Sequence, residues 1–275
     1  MQSRDYTTGE MATTAQILTA ARIRPVSSHL SSRRGPSLGG MQLIVGQFTA
    51  SIDLVVLDKD GTMFDLDEAW ARVAAVWEER LETASGIPGL AAAIARRIGH
   101  DRATGDVAFG SVLAAGTMRE LRDATSEVVA DHGGDPAIVD SVAVPDSGSL
   151  TPKGDLAGWL SRVRQLGARV AVLTSDDRAP TLDHLEEAGV AGIVDDLVAG
   201  DDQLPPKPDP AGLLALCDRF GVEPSRAVMI GDSPGDMEAG AAAGTRRIGI
   251  RVPSGHAPAG AEVIVDSLDE IELAR

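Results

Sequence analysis

Apolar positions change their rhythm twice along this 275-residue chain. Residues 54–57, LVVL, form a short uninterrupted apolar run with two β-branched members, which predicts a buried strand over 53–58. From about residue 66 to 132 the rhythm is helical. The stretches DEAWARVAAVWEERLETA, PGLAAAIARRIG and GSVLAAGTMRELRDATSEVVADHG carry apolar residues at helical spacing, separated by glycines and polar turns. After the linker PDSGSLTPKG the two rhythms alternate. Helices are predicted over 155–166, 179–188, 210–220 and 235–243, and strands over 169–174, 196–200, 226–231, 246–250 and 262–265.

Strands that alternate with helices imply a parallel sheet covered on both faces. The predicted fold class is therefore α/β, a Rossmann-like core built from residues 51–64 and 150–275. Residues 65–149 are an inserted α-helical domain. Residues 1–40 stand apart: rich in Ser, Thr, Arg and Gly, with five Arg against Asp5 and Glu10. They are read as a disordered N-terminal extension, with translation starting at Met11 or Met41 as one form of that reading. An organelle transit peptide and a regulatory arm are the alternatives.

Composition narrows the classes. Apolar residues make up 43% of the chain but aromatics only 3%, so the core is built of Ala, Val, Leu and Ile. A formal net charge of -16 argues against nonspecific nucleic-acid or anionic-membrane partners. No window reaches the roughly 18–20 apolar residues that a bilayer span needs, and a cytoplasmic protein is expected. The single cysteine, Cys217, excludes an internal disulfide and lies in an apolar helical pattern. Lys+Arg number 25 but only three are lysines, Lys59, Lys153 and Lys207. Nothing in the sequence addresses oligomeric state.

Chemistry is concentrated at the predicted strand ends, where a parallel α/β sheet binds its ligands. Asp58 and Asp60 follow the first strand, one residue apart, with Gly61 allowing a sharp turn. Two close carboxylates repel unless a cation or shared proton relieves them. The second strand ends in Thr174–Ser175, Lys207 lies in the loop PPKPDP, and Asp232 and Asp236 follow RAVMIG. Carboxylates are the hard oxygen ligands that Mg²⁺ prefers, and a lysine with a hydroxyl suits phosphate oxygens.

These four motifs, in this order, resemble those of the haloacid dehalogenase-like phosphohydrolase superfamily over roughly residues 52 to 272. The helical insertion is similar to the family's C1 cap, and the closest likeness is to phosphoglycolate phosphatase-like members. The resemblance implies a Mg²⁺-dependent hydrolase of a small phosphorylated metabolite. Asp58 is then the nucleophile and Asp60 the general acid–base, its pKa raised by neighbouring Asp58. Mg²⁺ is held by Asp58, the Asp60 carbonyl and Asp232, with Asp236 behind them. Thr174, Ser175 and Lys207 bind the phosphoryl group. Ser175 departs from the Asn often found in phosphoglycolate phosphatases, which weakens the claim on that substrate.

Relatives with other chemistry are partly separable. Asp60 argues against a true dehalogenase, whose reaction protonates no leaving group. The absence of lysine from residues 63–150 excludes the Schiff base of a phosphonatase. A P-type pump lacks its membrane segment here. A β-phosphoglucomutase-like mutase and a non-catalytic phosphate-binding module stay as alternatives. Arg72, Arg80, Arg96, Arg97, Arg102, Arg119 and Arg122 are candidate anchors for a second anionic group. Lys59 is read as structural or peripheral, Lys153 as a substrate contact or a linker residue, and Asp176, Asp177 and Arg178 as surface residues, with lining of the site's mouth as the alternative. The histidines at 29, 100, 132, 184 and 256 show no catalytic pairing.

Overall fold

A computed structural model describes residues 40–65, 67–145, 150–252 and 254–275. The N-terminal extension expected over residues 1–40 falls outside the described residues except for Gly40.

The chain opens with an antiparallel hairpin, β1 (Met41–Val45) and β2 (Phe48–Ile52), and only then enters the apolar run as β3 (Leu54–Leu57). All four residues of β3 are fully buried, as a strand flanked on both sides and covered on both faces requires. After β4 (Phe64–Asp65) come α1 (Asp67–Ser85), α2 (Leu90–Ile98), α3 (Val112–Ala115), α4 (Met118–Asp131) and α5 (Ile138–Ser141). The chain then returns through β5 (Thr151–Pro152), whose Thr151 pairs with Asp65 and Pro152 with Phe64. The insertion thus leaves and re-enters at one two-stranded ribbon.

The alternating half follows: α6 (Leu156–Gln165), β6 (Arg169–Leu173), α7 (Arg178–Glu187), β7 (Asp196–Val198), α8 (Ala211–Phe220) and β8 (Ala227–Gly231). It ends with α9 (Pro234–Ala243), β9 (Arg246–Ile250), β10 (Val263–Val265) and β11 (Glu272–Ala274). Six parallel strands order as β10-β9-β8-β3-β6-β7, so the first strand of the sheet is central. Every element predicted in this half is present, with ends displaced by one or two residues.

Local chemistry explains several boundaries. In α2, Leu90, Ile94 and Ile98 fall on one buried stripe, Arg96 and Arg97 occupy the last turn, and Gly99 closes the helix in the left-handed region. The α4 start is a capping box between Thr117 and Glu120. The helices of the insertion enclose an apolar cluster of their own, with Trp77, Leu81, Ile94 and Val129 at its centre. No helix among the described residues is long and apolar enough to cross a membrane.

The hairpin was not expected from the sequence. β1 pairs on its other edge with β11, which gives a three-stranded antiparallel sheet that joins residues 41–52 to the C-terminus. Leu43 and Ile52 are fully buried and belong to the same cluster as Val55 and Leu57 of the central strand. The hairpin is therefore part of the core. Leu43→Ala should cost about 2–5 kcal/mol in denaturant unfolding, the range for emptying a packed leucine site. A loss below about 0.5 kcal/mol, as at exposed positions, would mark the hairpin as an appendage.

Candidate active site

Register delivers the acids. Leu57 pairs with Val172 of β6 on one side and with Ile230 of β8 on the other. Asp58 therefore emerges between Thr174 and Asp232, each just beyond the end of a neighbouring strand. The backbone turns at once: Met63 N donates to Lys59 O at 2.9 Å and Gly61 N to Phe64 O at 3.0 Å. Gly61 has φ +77°, and a Cβ there would lie 2.2 Å from Asp232 Oδ2. Only glycine lets the two strand ends approach this closely. Lys153 braces the turn, its Nζ donating to Gly61 O at 2.6 Å, which assigns it to the scaffold of the loop.

Lys207 is the hub. Its Nζ lies 2.6 Å from Asp58 Oδ1 and 2.7 Å from Asp236 Oδ1, and all three side chains are nearly or wholly buried. Asp236 is occupied on both oxygens, since Oδ2 accepts from Ser233 N at 3.0 Å and Ser233 Oγ at 2.7 Å. That second set is the capping box of α9, so one carboxylate both starts the helix and holds the lysine. Asp232 Oδ1 accepts from Thr62 Oγ1 at 3.1 Å.

Asp58, Asp232 and Asp236 each bring a carboxylate oxygen to within 4.8 Å of the others. Three carboxylates thus face one ammonium. Burial pushes Asp58 well above the usual carboxylate range against the pull of Lys207, with Asp236, Asp232 and Asp60 adding to the rise. Burial, then Asp236, lifts Asp232 to about 7. The two flanking carboxylates hold the Lys207 ammonium protonated despite its burial. A cluster of hard oxygen donors short of positive charge fits a divalent cation such as Mg²⁺.

Asp60 points elsewhere. Its Oδ1 contacts the ammonium of Lys59, which is fully buried and lies 3.1 Å from Asp176 Oδ2 and 3.4 Å from His184 Nδ1. Of the two readings of Lys59 the structural one holds and the peripheral one does not, and Asp176 lines the cavity instead of the surface. The sequence carried one signal, a lysine inside an otherwise acidic motif; the depth of α7, which supplies His184, is tertiary. The cause given for Asp60 also changes. Burial raises its pKa first, Lys59 opposes, and Asp176 adds to the rise; Asp58 is not the source.

One small cavity of about 40 Å³ gathers the predicted residues: Asp58, Asp60, Thr174, Ser175, Lys207 and Asp232 all line it, with Trp70 and residues 112–118 of the insertion as its roof. Asp236 lies beneath, behind Lys207. Thr174 Oγ1 accepts from Asp176 N at 3.1 Å, and Ser175 Oγ donates to Ala115 O of the insertion at 3.2 Å. The cavity adjoins a cleft of about 870 Å³ that Arg72 lines. Arg80, Arg97, Arg102 and Arg122 are engaged within the insertion instead, with Ala143 O, Glu127, Glu78 with Glu79, and Val139 O.

A family profile for haloacid dehalogenase-like hydrolases matches residues 52–244, and the chain belongs to that family. All of the hairpin except Ile52 and the last three strands, β9, β10 and β11, lie outside the match. The chain is similar to the plasmid phosphoglycolate phosphatase of Cupriavidus necator, 38% identical over 128 residues, 45% of this chain and 54% of that protein. It is also similar to the N-acetylmuramic acid 6-phosphate phosphatase of Pseudomonas aeruginosa, 28% identical over 224 residues, 79% of this chain and 92% of that protein. The alignments to the phosphoglycolate phosphatases of Cupriavidus necator and Rhodospirillum rubrum span about half the length of those relatives. Among solved structures, a HAD phosphatase from Thermococcus onnurineus superposes with a TM-score of 0.57 at 20% identity, covering 80% of this chain and 95% of that one, which is a likeness of fold.

The crowded carboxylates set a pH dependence in metal-free protein. Asp232 moves from 3.8 to about 7 on folding, so the native state keeps a proton that the unfolded chain gives up. Stability is then full below the unfolded value and falls as pH rises through about 7. Thermal unfolding in chelator should show lower stability at pH 8 than at pH 5.5. Asp232→Asn should flatten that slope; an unchanged slope would place its origin elsewhere.

Proposed function

We propose that this protein is a Mg²⁺-dependent phosphatase that hydrolyses a small phosphorylated metabolite through an aspartyl-phosphate on Asp58. The observation that supports this reading best is the cavity itself, in which Asp58, Lys207 and Asp232 face Thr174 across a space of phosphoryl size. Residues 65–149 act as a cap over it.

In the first half-reaction a carboxylate oxygen of Asp58 attacks phosphorus and the ester P–O bond breaks. Asp60 protonates the departing alkoxide. In the second, Asp60 takes a proton from water, the water oxygen attacks phosphorus, and the Asp58 acyl-phosphate bond breaks to release inorganic phosphate. Lys207 and Thr174 offset charge on the equatorial phosphoryl oxygens, and Ser175 exchanges its bond to Ala115 for one to substrate. Asp58, the Asp60 carbonyl and Asp232 would hold Mg²⁺, which would supply charge neutralisation for the incoming dianion. Asp236, saturated by Lys207 and Ser233, positions the lysine.

Phosphate release from a panel of small esters, phosphoglycolate and sugar phosphates included, tests this directly. Multiple turnover with Mg²⁺ is expected, abolished by chelator and reduced at least about 10³-fold in Asp58→Asn, as for loss of a covalent nucleophile. A folded Asp58→Asn variant with wild-type turnover would refute the mechanism, and interconversion of phosphate esters without release would favour a mutase.

A further inference from the structure

The polar cluster behind Asp60 takes no part in the steps above. Lys59 is completely buried, an expensive place for an ammonium, and three groups from separate parts of the chain surround its Nζ. Asp60 comes from the turn after β3, Asp176 from the turn after β6, and His184 from α7. Asp176 is itself tied down: its Oδ1 accepts from Asp177 N at 2.8 Å, and its own N–H donates to Thr174 Oγ1 at 3.1 Å.

A lysine–aspartate pair alone would satisfy a buried scaffold. Here the ammonium carries a third partner whose side chain, 16% exposed, opens onto the catalytic cavity. Asp60 therefore has one oxygen fixed from behind by a charge anchored to two other elements, while the carboxyl faces the cavity. The same Asp176 also holds the hydroxyl of Thr174, so one acid joins the acid–base residue to the phosphoryl-binding residue.

We propose that Lys59, backed by Asp176 and His184, is a positioning residue that holds the Asp60 carboxyl in line with the leaving-group oxygen. The inference rests on the reading of Asp60 as the acid–base residue. It predicts a loss in the first half-reaction that depends on the leaving group, because only a poor leaving group needs the proton that Asp60 delivers there. A one-ångström misplacement of such a group costs on the order of 10²-fold.

The test compares the best alkyl phosphate of the panel with p-nitrophenyl phosphate, whose phenolate departs unprotonated. Lys59→Met alone strands Asp176, so Lys59→Met/Asp176→Asn, which removes one charge of each sign, is assayed beside it, as is Lys59→Arg. In the double variant the single-turnover rate of phosphorylation of Asp58, read by acid quench, should fall about 10- to 100-fold from the alkyl ester and less than about threefold from p-nitrophenyl phosphate, while the later hydrolysis step slows equally for both. In an Asp60→Asn background the same substitutions should add less than about twofold, and Lys59→Arg should recover part of the alkyl-ester rate. Equal losses in that phosphorylation rate from both esters, or none from either, would overturn the proposal while leaving the phosphatase reading intact. A wild-type protein that releases phosphate from neither ester would overturn both.

Discussion

The ammonium of Lys207 between Asp58 and Asp236 is the interaction on which the rest of the site depends. Removing one partner of a buried ion pair leaves an uncompensated charge that costs roughly 3–5 kcal/mol. Here one cation serves two carboxylates, with a third, Asp232, close by. The arrangement is tolerable because each anion is also bonded to something rigid. Asp236 starts α9, Asp232 accepts from Thr62, and Asp58 continues the central strand. What remains is a local deficit of positive charge facing a cavity. Three carboxylates against one ammonium leave two negative charges, which a single dication would offset before an anionic group enters.

The sheet makes this possible by register alone. With β3 in the middle, its C-terminal end is flanked by the ends of β6 and β8, so Asp58, Thr174 and Asp232 converge without a long loop. Two glycines permit the closeness. A Cβ at Gly61 would meet Asp232, and one at Gly231 would lie 2.3 Å from the Asp236 carboxylate carbon. The insertion completes the enclosure from above. Its ribbon, β4–β5, fixes where the helices leave the core, and Ser175 meets Ala115 where they come down over the site.

Much of this was legible in the residues. Strands buried on both faces are continuous apolar runs bounded by turn residues, and LVVL, RVAVL and AVMIG have that form. The residues that the cavity gathers were legible where they stand at the end of such a run, as Asp58, Asp60, Thr174 and Asp232 do, whereas Lys207 lies in a loop well beyond β7. Two features were not. The β1–β2 hairpin has five-residue strands whose second neighbour, β11, lies at the far end of the chain, and no local pattern encodes that pairing. The environment of Lys59 was illegible for the same reason. Strand alternation turns its side chain away from that of Asp58, but whether it meets solvent or Asp176 and His184 depends on where α7 packs.

Transfer of phosphorus to the carboxylate at the end of the central strand can be trapped chemically. Acid quenching during turnover of a ³²P-labelled ester, followed by peptide mass spectrometry, tests it most directly. The account predicts label on the peptide containing Asp58, discharged by hydroxylamine as an acyl-phosphate. Phosphate release at full rate with no label on that peptide would mean that water attacks the substrate directly, and would contradict it.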